Sequence, residues 1–402
     1  MNMDDQEAIE RAKKHFEELV AEQLARVERL KSQKEWIDYS SLKPIVIGLV
    51  GGDGIGPYIM NEAKRILHFL LGDRITRREV DIREIKGLTI ENRVIKKESV
   101  PKDILNEIKD CHVILKGPTT TPRKGDAWPN FESANIVLRK ELDLFANIRP
   151  VKIPKLGIDW VFFRENSEGS YVLGNQGIDI TDEIAMDFRV ITSLGAERIL
   201  DYAFSYAKQN KINKVTVVTK ANVIKTTDGK FLDIARKVSQ KYPDVQWDDW
   251  YIDIMSAKLL DPKRRDQFRV VVLPNLYGDI ISDEAAQIQG GVGTAGSANI
   301  GFGYAMFEAI HRSAPRMVTE GRAKYADPQS ILRALVMLFV HIGHQDLADK
   351  LEKALDICFV YERRIHTTGH SDGDTSKEMS EYVMETLKDP KLEKRWENAQ
   401  EI

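Results

Sequence analysis

From Pro44 onward the sequence alternates short apolar runs with longer amphipathic stretches, and this alternation constrains the fold more than any other feature. "IVIGLV" (Ile45–Val50) carries no polar side chain, as a strand buried on both faces requires. A glycine-rich turn follows, then "YIMNEAKRILHFLL", whose apolar residues recur at helical spacing. "EVDIREI", "HVILKG", "WVFFREN", "KVTVVTKAN" and "RVVVLPN" read as further strands, mostly separated by helical stretches. The pattern predicts an α/β sheet with helices on both faces. Two stretches break the rhythm. In residues 1–40, Ile9, Phe16, Leu19, Val20, Leu24, Val27 and Leu30 recur at helical spacing among charges. They predict an amphipathic helix that packs on its own chain or on a neighbouring subunit. "GSYVLGNQGIDITDEIAMDFRVITS" (Gly169–Ser193) is rich in Gly, Asp and β-branched residues. It predicts a hairpin or arm, an element suited to pairing with a second subunit.

Composition narrows the function classes. A chain of 402 residues is long enough for roughly two or three domains. With 42% apolar and 30% charged residues it is expected to be globular rather than disordered. A net charge of -3 gives no reason to expect a nucleic-acid or anionic-membrane partner. The two cysteines, Cys111 and Cys358, argue against a disulfide scaffold or a cysteine-ligated zinc site. No apolar run approaches membrane-spanning length. The acidic start "MNMDDQEAIE" is neither a signal nor a transit peptide, so a cytoplasmic protein is expected.

Several loops after strands carry chemistry-bearing residues. "VVVLPNLYGDIISDEAA" (Val270–Ala286) places Asp279 and Asp283 four residues apart, on one helix face. Two readings stand: an acidic turn complementing the helix dipole, or a pair of hard oxygen donors for Mg²⁺ or Mn²⁺. "WYIDIMSAKLL" adds a third carboxylate, Asp253. "VGGDGIGP" (Val50–Pro57) sits where a dinucleotide fingerprint would, but fits neither that spacing nor a Walker loop. "LKGPTTTP" places three hydroxyls after a strand. "ESANIVLRKELDLFANIRP" offers Ser133, Asn135, Arg139 and Arg149, and "FFRENSEGSY" adds Arg164 and Tyr171. Arginine presents a planar fork that matches carboxylates, so three of them near strand ends suit a polyanionic substrate, with surface ion pairing as the alternative. "VTKANVIK" puts Lys220 and Asn222 past another strand, where a lysine near other cations can serve proton transfer. "FEAIHRSAPRM" supplies His311, Arg312 and Arg316, which suit either a phosphate or solvent.

Taken together and in order, "GGDGIGP", "KGPTTTP", "LRKELDLFANIRP", "FRENSEGSY", "NLYGDIISDEAAQIQGGVG" and "FEAIHRSAP" resemble the isocitrate dehydrogenases of the isocitrate/isopropylmalate (decarboxylating β-hydroxyacid) dehydrogenase family. The resemblance runs from about Pro44 to about Leu387. It implies an α/β fold that is not a true Rossmann fold, with large and small domains and a clasp arm. The expected division is a helical extension at 1–40, a large cofactor-binding domain at 41–144 and 290–402, and a small domain at 145–289. The small domain would carry the metal site and the arm at 169–193. The resemblance further implies a homodimer with shared active sites, open to higher assembly through the N-terminal helix.

By the same resemblance, Arg139, Arg149 and Arg164 bind substrate carboxylates, with Ser133, Asn135 and Asn222 completing the substrate set. Tyr171 reprotonates the product and Lys220 relays the hydroxyl proton. Asp279 and Asp283 hold Mg²⁺ or Mn²⁺ together with Asp253, and Asp253 and Lys220 arrive from the neighbouring subunit. The cofactor would lie against Ile55, Thr120, Thr121, Glu308, His311, Arg312, Ser313, Ala314, Arg316 and Asp327. Serine and asparagine ahead of the first arginine suit a third carboxylate, which implies isocitrate as substrate and a place in the tricarboxylic acid cycle. Homoisocitrate or isopropylmalate dehydrogenase, and a non-catalytic regulatory subunit, are the rivals. Relatives that use NAD place an acid where this chain has Arg316, so NADP is the expected cofactor, with NAD the alternative. Arg312 stands in place of the usual glycine and Asp327 in place of the usual asparagine. "TEGRAKYADP" is about three residues longer than the usual loop. Arg363 or Arg364 in "VYERRIHTTGH" are further candidates for a phosphate contact.

Overall fold

The apolar runs form strands in the computed structural model, which describes residues 3–32, 35–122, 125–126, 128–129, 131–173, 176–291, 294–310 and 312–400. In chain order the strands are β1 (Ile45–Val50), β2 (Val80–Ile85), β3 (Val113–Lys116), β4 (Ala146–Ile153), β5 (Ile158–Glu165), β6 (Ile178–Thr181), β7 (Ile184–Met186), β8 (Lys214–Thr219), β9 (Gln246–Tyr251), β10 (Val270–Leu273), β11 (Gly296–Ile300) and β12 (Ala305–Ala309). Contacts divide the chain into two units. One is built from Ile37–Leu144 and Ala286–Ile402, the other from Met1–Trp36 and Phe145–Ala285.

In the first of these, the strands run in the order β2-β1-β3-β12-β11. β1 pairs in parallel with both neighbours, so Ile47 lies between Ile82 and Val113. β12 runs parallel to β3, and β11 is antiparallel to β12. Every residue of β1, β3 and β12 is buried, because a strand covered on both faces has no solvent side to furnish with polar residues. β2 at the edge exposes Arg83 and Glu84. The helix Gln329–His341 contributes Ile331, Leu332, Leu335 and Leu338 to the core with no exposed surface.

In the other unit the order is β4-β5-β10-β8-β9. β4 is antiparallel to β5, with Asn147 opposite Arg164. β10 is parallel to β5 and β8, and β9 is parallel to β8 at the edge. The helix Ser193–Gln209 lies against β5 and β10 and buries Ile199, Leu200, Ala203 and Phe204. Arg164 and Glu165 end β5, and Arg149 lies on the neighbouring β4, where the candidate site forms.

The stretch at 169–193 contains a two-stranded antiparallel hairpin of β6 and β7, with Ile178 opposite Met186. The N-terminal helix Met3–Ser32 packs on it. Leu19 joins Val172 and Leu173 in a buried cluster flanked by Phe188 and Val190. The Phe16 ring stands 5.7 Å from that of Phe188. His15 Nε2 lies 2.7 Å from the Gln176 carbonyl. The helix read in residues 1–40 thus packs on its own chain, one of the two partners expected for it. Met1–Trp36 groups with the arm-bearing unit, on which Leu19 is buried, and the other unit begins at Ile37. Cys111 and Cys358 are both buried and unbridged, and burial pushes their thiols up to about 11 and about 12.

Candidate active site

The helix Asn275–Gln289 starts just past β10 and carries Asn275, Asp279, Ser282 and Asp283 in its first turns. Gly278 lets it settle on β5: a Cβ there would stand 2.6 Å from the Arg164 side chain. Arg164, at the end of β5, is only 2% exposed. Its Nε and Nη2 donate to Asn275 Oδ1 at 2.9 and 2.7 Å, and its Nη1 donates to Asp279 Oδ1. Tyr171 Oη donates to the other oxygen of Asp279 at 2.8 Å. The Arg164 guanidinium lies 5.2 Å from the Tyr171 ring centroid. Arg149, from β4, donates through Nη1 to Ser282 Oγ at 2.8 Å and to Asp283 Oδ1 at 2.5 Å, with Nη2 3.5 Å from Asp279. Five expected site residues, Arg149, Arg164, Tyr171, Asp279 and Asp283, therefore meet in one cluster.

The Asp279 and Asp283 side chains are 32% and 54% exposed, so a hydrated cation can reach them. Two carboxylates one helical turn apart fit part of an oxygen shell for Mg²⁺ or Mn²⁺. Among the described residues no three His, Cys, Asp or Glu side chains gather in one metal-holding group. Asp253 does not join the pair within one chain. It accepts instead from Lys220 Nζ at 2.6 Å, and that hydrogen bond holds its carboxyl below the usual aspartate value. Lys220 follows β8, and its backbone N–H is tied to the fully buried Asp228 at 2.7 Å. Asn222 is exposed two residues on.

In the other unit a buried ion network anchors the remaining substrate candidates. Glu308 on β12 is 6% exposed. Its Oε1 accepts from Arg139 Nη2 at 3.2 Å and from Asn299 Nδ2 at 2.8 Å, and its Oε2 lies 3.7 Å from Lys116 Nζ. Burial opposes its charge, but Lys116 and Arg139 outweigh that and keep the carboxyl below its usual value. Glu308, expected against the cofactor, is thus engaged inside the protein, and a direct cofactor contact would require those bonds to open. Lys116 Nζ also reaches Thr119 Oγ1 at 3.3 Å, and Thr119 donates to Asn135 Oδ1 at 3.2 Å. Ser133 stands half-buried at the start of the helix Ala134–Glu141.

The glycine-rich turn is built around Asp53. Its carboxylate accepts from the backbone N–H groups of Ile90 and Thr120 at 2.7 and 2.6 Å. Gly54 has φ +60, and a Cβ on it would come within 1.9 Å of the Ser313 carbonyl. That carbonyl accepts from Ile55 N at 2.9 Å, and Ser313 Oγ meets Thr120 Oγ1 at 2.9 Å. Ile55, Thr120 and Ser313 are therefore brought together, with Ala314 next to them in a left-handed conformation at φ +43. Arg93, fully buried, donates to the carbonyls of Ser99, Thr120 and Glu132 and holds both loop ends. Thr121 and Arg312 are exposed, and His311 lies outside the described residues. Arg316 is 85% exposed and donates from Nε to Glu320 Oε1 at 2.5 Å, so its guanidinium faces solvent beside an acid. Asp327 accepts from Gln329 N at 2.8 Å, and burial pushes its carboxyl up to about 6. Of the two C-terminal candidates, Arg363 donates to the Val360 carbonyl and Arg364 pairs with Glu362 at 3.3 Å.

Sequence reasoning missed Asp53, Arg93, Lys116, Asn275 and Asp228. Lys116, a charge ending the apolar run "HVILKG", was the clearest available signal, since a buried lysine requires partners.

Residues 46–383 match the isocitrate/isopropylmalate dehydrogenase family. The chain is 35% identical over 365 residues to the NADP isocitrate dehydrogenase of Rickettsia prowazekii, covering 87% of this chain and 70% of that one. It is 33% identical to the homoisocitrate dehydrogenase of Methanocaldococcus jannaschii, covering 85% of this chain and 98% of the relative. The crystal structure of isocitrate dehydrogenase from Methylococcus capsulatus superposes with a TM-score of 0.73 at 32% identity, covering 86% of this chain and 99% of that one. The strand–turn–helix frame, the aspartate pair ringed by arginines and these likenesses agree on one assignment: the chain belongs to the isocitrate/isopropylmalate dehydrogenase family.

Proposed function

We propose that the chain is a metal-dependent isocitrate dehydrogenase that converts isocitrate and NADP to 2-oxoglutarate, CO₂ and NADPH. The cluster of Asp279 and Asp283 with Arg149, Arg164 and Tyr171 carries this reading. The two aspartates would hold Mg²⁺ or Mn²⁺. When bound, the cation would supply Lewis acidity and NADP would serve as the hydride acceptor. Arg149 and Arg164 bind and orient substrate carboxylates, taking them in exchange for the aspartates that neutralise them now. Arg139, fixed by Glu308, holds a further carboxylate, and Ser133 and Asn135 beside it offer hydrogen bonds that an apolar substituent cannot use. Lys220 removes the proton from the hydroxyl oxygen as hydride leaves the carbon that bears that hydroxyl. Tyr171 Oη then returns a proton to the carbon that loses CO₂.

The functional form would be a cytoplasmic homodimer in which the Lys220–Asp253 pair of one chain completes the Asp279–Asp283 site of the other. The supporting observation is that the two pairs form separate clusters within one chain. Homoisocitrate is the second substrate to test, on the strength of the Methanocaldococcus relative. NADP preference would rest on Arg316, which can donate two hydrogen bonds to a 2′-phosphate once Glu320 yields it.

Initial rates with isocitrate, homoisocitrate and isopropylmalate, each with NADP and NAD, test the assignment. Isocitrate with NADP should be fastest. Arg316→Asp should raise the KM for NADP about tenfold to a hundredfold, the value of one charge-assisted contact, and spare NAD. Equal responses from the two cofactors would remove Arg316 from the phosphate site, and a faster rate with another acid would reassign the substrate.

A further inference from the structure

The helix Met3–Ser32 lies outside the family match, which begins at residue 46. Yet one of its side chains reaches the segment joining Arg164 to Tyr171. Arg26 Nη1 donates to Glu168 Oε1 at 2.9 Å, and its Nη2 donates to Ser167 Oγ at 3.3 Å. The Arg26 and Glu168 side chains are 13% and 1% exposed, so this is an enclosed ion pair rather than a surface one. Glu168 also accepts from the hydroxyl and backbone N–H of Thr192. The neighbouring Glu165 is buried too, and accepts from the N–H groups of Ser167 and Glu168 and from the Ser167 hydroxyl. Two buried carboxylates thus share one short turn, facing Arg26 and Arg198, which donates to Ser167 Oγ at 2.8 Å. Burial, and then the charge of Glu168, push the Glu165 carboxyl up to about 7.

The turn is wired to the site. The Glu168 carbonyl accepts from Asn275 Nδ2 at 2.9 Å, and Asn275 Oδ1 in turn accepts from both Nε and Nη2 of Arg164. Tyr171 follows three residues after Glu168 and bonds the same aspartate as Arg164.

We infer that Arg26 is a positioning residue for Arg164 and Tyr171: the N-terminal helix holds the Glu165–Tyr171 turn in its working shape by pairing a guanidinium with the enclosed Glu168. Without it, Glu168 loses an enclosed ion-pair partner, and the turn must shift or open to relieve the buried charge. The inference deepens the proposed activity and rests on it for its kinetic arm only.

The test uses the full chain and five variants. Arg26→Ala should lower kcat about threefold to thirtyfold, the range for coupling through a chain of contacts. Arg26→Lys, or guanidinium ion added to Arg26→Ala, should restore most of it. Glu168→Gln combined with Arg26→Ala should be no worse than Glu168→Gln alone, since the charge that Arg26 serves is gone. Arg11→Ala, which removes a bond from the same helix to the Ile180 carbonyl at 3.4 Å, should leave kcat unchanged. The activity-independent readout is hydrogen exchange at the Ser167 and Glu168 amides, which should quicken in Arg26→Ala and not in Arg11→Ala. If wild type does not turn over isocitrate, the proposed activity fails while the exchange result still decides this inference. Unchanged exchange in Arg26→Ala, purely additive losses in the double variant, or an equal kcat loss in Arg11→Ala would overturn it.

Discussion

Replacing Asp327 by asparagine should make this protein more stable at neutral pH and less so, relative to wild type, in acid. Asp327 precedes the helix Gln329–His341. The residue is half-buried as a whole, but its carboxyl is enclosed. Burial raises that carboxyl from the ordinary 3.8 to about 6, against one relieving hydrogen bond from Gln329 N. A carboxyl raised on folding binds more protons in the native than in the unfolded state between those two values. Its contribution to stability is therefore fully favourable only in acid, and declines as pH rises from about 4 to about 6. At pH 7.5 ionising it in place costs ~3 kcal/mol, taking 1.36 kcal/mol per tenfold in proton affinity. Asparagine keeps the acceptor oxygen for Gln329 N and carries no charge. Allowing for relaxation, Asp327→Asn should gain about 1.5–3 kcal/mol at pH 7.5, and roughly half of that at pH 5. Urea unfolding followed by circular dichroism at pH 7.5, 6 and 5 reads the difference directly, with unchanged m-values as the control. No gain at pH 7.5, or a gain that stays constant down to pH 5, would refute the reasoning.

Three further outcomes follow from the site. Asp283→Asn should raise the Mg²⁺ concentration needed for half-maximal rate by ~10-fold or more without unfolding the chain; wild-type turnover at low Mg²⁺ would withdraw the metal role. Lys220→Met and Tyr171→Phe should each be nearly inactive alone, and if the protein is the proposed homodimer, mixing them should restore activity as subunits exchange. No recovery after exchange verified by mass would mean that each chain builds its own site. Glu308→Gln should destabilise the protein by about 3–5 kcal/mol in urea melts, because it leaves Lys116 and Arg139 without their buried counter-charge. A loss below ~1 kcal/mol would show that the network is already solvated.

The strands were legible because two-sided burial leaves a strand such as Val270–Leu273 no room for a polar residue. The N-terminal helix was legible for the complementary reason, a period that alternates apolar and charged faces. Its destination was not, since nothing local to Leu19 says that Val172 will cover it. The site divides in the same way. Asp279 and Asp283 share a helix face by spacing alone. That Arg149 and Arg164 meet them is a contact across 134 and 115 residues of sequence, visible only as an ordered set of motifs. Glu308 was read outward, toward a cofactor, because its partners Lys116 and Arg139 are distant in sequence and come together only when β12 pairs with β3. Asp53 looked like one more turn residue. Its carboxylate in fact ties two backbone segments that no periodicity links.

The enclosure of both thiols has a practical consequence. Cys111 donates to the Glu107 carbonyl, and Cys358 shares a hydrogen bond with Thr386. With their ionisation pushed far above neutral, neither offers a thiolate to maleimides or to peroxide in the folded state. Neither buried thiol competes for a maleimide in the folded state, so one cysteine introduced at an exposed position becomes a unique handle. Placed at Leu24 on the N-terminal helix or at Ile184 on the arm, both exposed, it would take a single fluorophore. Donor- and acceptor-labelled pools could then test whether chains associate and exchange, with no background from residues 111 and 358.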